Sequence, residues 1–289
     1  EGDYPRVLRI EKLAGGKEIC VSQPEFSPDG NYLAYVSDIG GWGHIYLRDM
    51  ETGTTRQLTY GKVEHGRPAW IQGIRTFAWA RDGASIFALR NERGRVRVWR
   101  YGLNGSSSEV TSVAKYTECT SISVGSIDDT VACVVSASTI PAEVVTFEGD
   151  AGTRLIARGR DDDLPAGALA EARNVQWSSA VGSPVYGLYY PPAYVGDEKP
   201  PAIVMSHGGP TAQRTLAFYP EVQFFVSRGY AVLQVNYRGS TGFGREYMLK
   251  LRGEWGKLDR EDLVGGANYL VENGLVDGER LIGMGSSAG

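Results

Sequence analysis

Five residues near the end of the chain have types and spacing that could do chemistry. Gly285, Ser286, Ser287, Ala288 and Gly289 read G-x-S-x-G, with Ser287 at the centre. That pattern suits a nucleophilic serine held on a sharp turn between a strand and a helix. The pentad alone is weak evidence in a chain with 38 glycines. Its setting strengthens it. The run "RLIGM" before it reads as a strand, and small residues at Gly285 and Gly289 keep a Cβ from crowding the turn.

A second group lies upstream. His207, Gly208, Gly209 and Pro210 directly follow the apolar stretch "AIVMS". A serine acyl-transfer site needs two N–H groups aimed at the developing oxyanion. One comes from the residue after the nucleophile, here Ala288. The other comes from a glycine loop after an earlier strand, as in α/β-hydrolases. Pro210 has no N–H, so Gly209 is the expected donor, with Gly208 the alternative. His207 is expected to orient this loop rather than act as the base. In that fold the chain order is serine, then acid, then histidine. The base and its orienter are thus expected beyond Gly289. His44 and His65, the other histidines, lie in a different region and are set aside as bases.

The elements that must position these groups can be read from periodicity. "YAVLQVNYRG" (230–239) is an apolar strand. Pro220 to Arg228 reads as a helix stopped by Gly229, and about 259–273 as a second helix stopped by Asn273-Gly274. Asp259 is expected to cap the second helix, with Asp262 near its positive end. Leu263, Ala267 and Leu270 share one face of it. Strands alternating with helices predict a mostly parallel sheet.

The first half reads differently. Residues 24–59, 77–112 and, more weakly, 121–157 repeat one pattern of aromatic, turn, alternating strand, turn and alternating strand. Asp29-Gly30 and Asp82-Gly83 mark equivalent hairpin turns. Repeats of this length built from four strands predict propeller blades. The charged stretch 158–173 reads as a linker. The expected fold class is therefore partial β-propeller blades over 1–160, followed by the first part of an α/β-hydrolase domain over 161–289.

Composition limits the function classes. A net charge of −4 favours neither nucleic acid nor an anionic membrane. Cys20, Cys119 and Cys133 have no metal-ligand or disulfide spacing, and are expected to be buried or half-buried thiols. They lean weakly toward a cytoplasmic setting. The serine chemistry calls for no metal or cofactor.

With "SHGGP", "VNYRGSTGFGREY", "WGKLDREDLVGGANYLVENGLVDGERLIGMGSSAG" and "FSPDGNYLAYVS" in view, the chain resembles the prolyl oligopeptidase family of serine peptidases. It looks closest to the acylaminoacyl-peptidase and dipeptidyl-peptidase-like branch. The resemblance implies a propeller capping a hydrolase domain and short peptides as substrates. It implies Ser287 as nucleophile and Gly209 and Ala288 as oxyanion donors. The chain is accordingly read as an internal fragment with almost no turnover of its own, whose last strand has an unpaired edge. An esterase-like hydrolase and a non-catalytic propeller binding protein are the alternatives.

Overall fold

The computed structural model describes residues 7, 9–70, 72–160, 167–194 and 196–289. Residues 161–166, within the expected linker, lie outside the described residues. Four β-sheets carry most of the regular structure.

The three sequence repeats each fold as a four-stranded antiparallel meander in simple order. The first comprises β1 (Val21–Phe26), β2 (Tyr32–Ser37), β3 (His44–Asp49) and β4 (Thr55–Gln57). The second comprises β5 (Phe77–Trp79), β6 (Ser85–Glu92), β7 (Arg95–Gly102) and β8 (Ser107–Glu109). The third comprises β9 (Glu118–Val124), β10 (Val131–Ala137), β11 (Ile140–Phe147) and β12 (Thr153–Arg158). Their first turns close alike. Ser27 N–H donates to Tyr32 O at 2.8 Å, Ala80 to Ser85 at 2.9 Å and Gly125 to Thr130 at 2.8 Å. Gly30 and Gly83 take φ of 76° and 68°, which the Asp-Gly pairs anticipated. Apolar side chains of neighbouring meanders fill shared cores, Ala34, Ile45 and Phe77 in one, Phe87, Val98 and Ile122 in another. No sheet closes on itself among the described residues.

The remaining sheet has five strands: β13 (Arg173–Ser178), β14 (Pro184–Tyr190), β15 (Ala202–Ser206), β16 (Ala231–Asn236) and β17 (Leu281–Gly285). Their spatial order is β13-β14-β16-β15-β17. Only β15 with β16 and β15 with β17 pair in parallel, whereas β13–β14 and β14–β16 are antiparallel. The sheet is therefore mixed, which corrects the mostly parallel expectation. The hairpin at 178–184 reverses the chain before any helix can cross over.

Alternation in the two central strands separates two cores. Ala202, Val204, Leu233 and Val235 face helix α3 (Leu258–Glu272), which contributes Leu263, Ala267 and Leu270. Ile203, Met205 and Val232 face helix α1 (Pro220–Val226), which contributes Val222 and Val226. Burying each of the Val, Leu, Ile and Met side chains among these stabilises by roughly 1.5–3 kcal/mol. Between β16 and α3 lies a short helix α2 (Arg245–Leu249) that the pattern did not reveal.

Three further sequence expectations need correction. Asp259 lies inside α3 and caps no terminus; its Oδ2 accepts Gly256 N–H at 3.1 Å. Asp262 is fully buried against Arg238 rather than facing a helix dipole. Among the cysteines, Cys119 and Cys133 are buried, but Cys20 is exposed, contrary to expectation; all three are free. Among the described residues no helix is long and apolar enough to cross a membrane.

Candidate active site

The glycine loop after β15 and the serine turn after β17 meet because their strands pair. Ser206 stands opposite Gly285 in the parallel register. Both chains therefore leave the sheet at the same level. A Cβ placed on Gly208 would lie 3.0 Å from both Ser286 O and Ser287 Cβ. So the two motifs separated in sequence are in contact in space.

Ser287 has φ of 58°, a left-handed conformation that non-glycine residues rarely hold. Gly289 N–H donates to Ser286 O at 2.9 Å and closes the turn around it. A Cβ on Gly285 would meet Gly289 carbonyl carbon at 2.5 Å, and one on Gly289 would meet Ser206 O at 2.7 Å. Both flanking glycines are thus required by close approach of backbone, as the sequence suggested. Strain of this kind, on the order of 1–3 kcal/mol per residue, persists where surroundings over-determine it.

Gly209 has φ of 130°, which turns its peptide away from the strand direction. Among the described residues, no protein group engages the N–H of Gly209 or of Ala288. Both expected donors are therefore uncommitted.

His207 is 3% exposed and stacks on Tyr237, with ring centroids 4.4 Å apart. Its Nδ1 lies 2.9 Å from Gly208 O and its Nε2 lies 2.8 Å from Ser240 Oγ. A carbonyl can only accept, so Nδ1 carries the proton. Ser240 then shares its single proton between Nε2 and Tyr237 O, 2.7 Å away. Tyr237 OH in turn donates to His207 O at 2.9 Å. Burial lowers the imidazole pKa to about 4, so the ring is neutral at pH 7. Nδ1 is committed to its own loop and Nε2 to the loop after β16, which fits an orienting group.

The residues 236–247 that hold His207 are themselves anchored. Arg238 and Asp262 form a buried pair, with Nη2 2.7 Å and Nε 2.9 Å from Oδ1. Arg238 N–H also donates to Asp262 Oδ2 at 2.7 Å, and Glu261 Oε1 lies 3.0 Å from Nη2. Tyr247 OH donates to Asn236 O at 2.7 Å. A Cβ on Gly239 would meet Leu251 Cβ at 2.6 Å, so this loop too depends on a glycine.

Across the loops lies the face of the first two meanders. Glu64 spans the junction: its Oε2 accepts Gly43 N–H at 2.6 Å and its Oε1 accepts Gly244 N–H at 3.2 Å. Arg245 pairs with Asp38 at 2.9 Å and with Glu18 at 3.2 Å. Trp70 Nε1 donates to Thr211 O at 2.8 Å, and Thr117 Oγ1 to Leu216 O at 2.6 Å. Desolvation raises the Glu64 pKa to about 7. A mainly apolar cavity of about 450 Å³ opens here, walled by Val36, Trp70, Thr211, Gly244 and Met248. His44 and His65, set aside as bases, are buried in this first region. His44 lies 3.1 Å from Thr59 Oγ1, and His65 lies 2.8 Å from Tyr101 OH.

Sequence reasoning missed Tyr237, Ser240, Arg238 and Glu64. Arg238 and Asp262 sit 24 positions apart with no periodic relation. The one available signal was a buried-type strand that continues into polar residues.

The profile of the prolyl oligopeptidase family matches residues 216–289. Dipeptidyl-peptidase 5 of Porphyromonas gingivalis is 22% identical over 286 residues, covering 97% of this chain and 41% of that protein. Acylamino-acid-releasing enzyme 1 of Oryza sativa subsp. japonica is 37% identical over 89 residues, covering 31% of this chain and 12% of that protein. Among solved structures, a puromycin-hydrolyzing peptidase of Mycobacterium tuberculosis matches with a TM-score of 0.88 and 29% identity, covering 95% of this chain and 42% of that one. The chain spans about two fifths of the length of the first and third of these. The resemblance read from the motifs therefore holds: the chain is similar to peptidases of the prolyl oligopeptidase family, and residues 216–289 match that family's own profile.

Proposed function

We propose that the chain is part of a serine peptidase that cleaves short peptides through an acyl-enzyme. The contact between the strained Ser287 turn and the Gly208-Gly209 loop is the observation that carries this reading. Ser287 Oγ attacks the scissile carbonyl carbon, and its proton passes to a histidine base. The oxyanion sits between the N–H groups of Gly209 and Ala288. The amine leaves with that proton, and water then releases the acyl group by the reverse route.

The base and its acid partner are proposed to be supplied by sequence beyond Gly289. His207 is a poor substitute, since both its ring nitrogens are held by Gly208 O and Ser240. Without a base the serine hydroxyl is unactivated, and losses on the order of 10⁶ in kcat follow in comparable triads. The first 160 residues are read as propeller blades over the site, and residues 161–289 as the opening of the hydrolase domain. The three meanders, in simple four-strand order with matching first turns, support that reading. Such a cover admits short peptides and excludes folded proteins.

Labelling with a fluorophosphonate tests this reading on protein that includes the complete hydrolase domain. Ser287 should be labelled and the Ser287→Ala variant should not. Equal labelling of both would remove Ser287 from the mechanism. Matched ester and amide substrates separate peptidase from esterase, and a protein that cleaves only the esters is not a peptidase.

A further inference from the structure

Beyond Pro210 the glycine loop runs on as a strap, residues 211–216, along the junction with the first region. The first region grips this strap along its length. At the near end Trp70 Nε1 donates to Thr211 O at 2.8 Å. In the middle Asn91 Nδ2 donates to Gln213 Oε1 at 2.7 Å, while Asn91 Oδ1 accepts Gly94 N–H at 3.0 Å and fixes the β6–β7 turn. At the far end Leu216 N–H donates to Gly94 O at 2.7 Å, and Thr117 Oγ1 donates to Leu216 O at 2.6 Å.

The other edge of the strap rests on the five-stranded sheet and its loops. Thr241 N–H donates to Ala212 O at 2.9 Å. Arg214 N–H donates to Asn236 Oδ1 at 2.8 Å, and Asn236 Nδ2 donates back to Arg214 O at 2.9 Å. Glycines on both sides allow this fit: a Cβ on Gly242 would overlap the Gln213 side chain, and one on Gly94 would lie 3.3 Å from Arg214 O. The path of the strap is therefore set by both regions together. Its first residue sits close to the expected oxyanion donor. Only Pro210 separates Thr211 from Gly209, and a Cβ on Gly209 would lie 3.0 Å from Thr211 N. A displacement of Thr211 thus turns the Gly209 peptide.

We infer that residues 211–216 are the strap through which the first region holds the glycine loop in its working shape, with Trp70 the positioning residue at the end nearest Gly209. The inference rests on the peptidase reading above and adds the regulation of that site: the oxyanion pocket is complete only while the first region is seated. The Trp70 ring is 66% exposed and walls the junction cavity, so the indole N–H is the group that reaches the loop. An oxyanion donor lost outright costs about 10²–10³ in rate, and a group displaced by about 1 Å can cost about 10². Release of one end of the strap, with its other contacts in place, should cost about 10-fold.

The test uses protein that includes the complete hydrolase domain, with a fluorophosphonate as the probe. Trp70→Phe keeps an aromatic wall and removes the N–H. The limiting labelling rate of Ser287 should fall about 10-fold, while the probe concentration that gives half this rate changes by less than about 2-fold. Thr117→Val releases the far end and leaves Leu216 O without its donor. It should lower the urea midpoint at least as far as Trp70→Phe does, yet slow labelling less. That ordering separates positioning from stability. A parent limiting rate in Trp70→Phe, or a rate loss that follows the urea midpoint across the two variants, overturns the proposal. Amide exchange gives a readout that needs no reactive serine. In Trp70→Phe the amides of Gly209, Thr211 and Ala212 should exchange about 10-fold faster, with those of β15 and β16 unchanged. Unchanged exchange at Gly209, Thr211 and Ala212 also defeats the idea. Should Trp70→Phe misfold, the parent protein suffices: its Trp70 indole N–H should be protected despite the exposed ring, and exchange at the rate of a free indole refutes the tether. Faster amide exchange without any labelling of Ser287 leaves the strap standing and removes the serine mechanism. Labelling that does not respond to Trp70→Phe does the reverse.

Discussion

His207 Nε2 lies 2.8 Å from Ser240 Oγ, and this contact joins the glycine loop after β15 to the loop after β16. The serine turn rests on the first loop, and the second is held in place by Arg238 and Asp262. Ser240→Ala leaves a buried imidazole nitrogen unpaired and should cost about 1–3 kcal/mol in chemical denaturation. Ser240→Thr, which restores the hydroxyl, should recover part of that loss if the added methyl is accommodated. No loss in the alanine variant means that the contact does not stabilise the fold.

Gly208→Ala brings a Cβ to 3.0 Å from Ser287 Cβ, while Gly209→Ala forces an L side chain to φ of 130°. Both should slow fluorophosphonate labelling of Ser287 by about 10-fold or more, each through its own local distortion. Thermal melts run in parallel separate this from unfolding. Labelling at the parent rate in either variant argues against the proposed oxyanion loop.

Asp262→Ala takes the buried partner from the Arg238 guanidinium and leaves it only the half-buried Glu261. A broken buried pair costs about 3–5 kcal/mol, and an apolar replacement of both partners restores much of it. Urea denaturation of Asp262→Ala and of the double variant Arg238→Met, Asp262→Leu should show that ordering. If the single variant is as stable as the double, the pair is not electrostatically coupled.

Glu64 sets a pH dependence. Its folded pKa is raised to about 7, so between its unfolded value and 7 the native state holds a proton that the unfolded chain has lost. That contribution is present below the unfolded pKa and is lost as pH rises through about 7. His207 acts in the opposite sense: its folded pKa is lowered to about 4, so its contribution is present above its unfolded value and lost as pH falls toward 4. Above about pH 6.5 the histidine contribution is complete, so melting temperatures from about pH 6.5 to pH 8 should fall as the raised carboxyls ionise, each contributing up to about 1 kcal/mol. Glu64→Gln should flatten that descent. An unchanged slope assigns the pH dependence to other groups.

Much of this was legible in the sequence because it depends on local pattern. Asp29-Gly30 and Asp82-Gly83 declare their hairpins, and Gly285 and Gly289 announce a turn that admits no Cβ. Leu263, Ala267 and Leu270 fall on one helical face and pack where that face predicts. What was illegible depends on partners far along the chain. Asp262 has the spacing of a helix-start acid, yet it is buried by Arg238, which local pattern cannot reveal. The antiparallel β13–β14 hairpin was hidden because Ser179 to Ser183 lacks an Asn-Gly or Asp-Gly signal. Glu64 and Glu118 look like ordinary surface carboxylates until two separate regions close over them.

The order β13-β14-β16-β15-β17 has a consequence for synthesis from the N-terminus. Each of the first three sheets is complete soon after its own four strands emerge. Strand β15, fully buried along its length, finds β16 about 30 residues later but pairs with β17 only after about 80. During that interval one side of an apolar strand stands open on the ribosome, the kind of edge that other chains can join. Strand β17 closes it, and residues 281–289 bring in Ser287 with it. Covering the edge of β15 and placing the serine turn are therefore one event in the life of the chain.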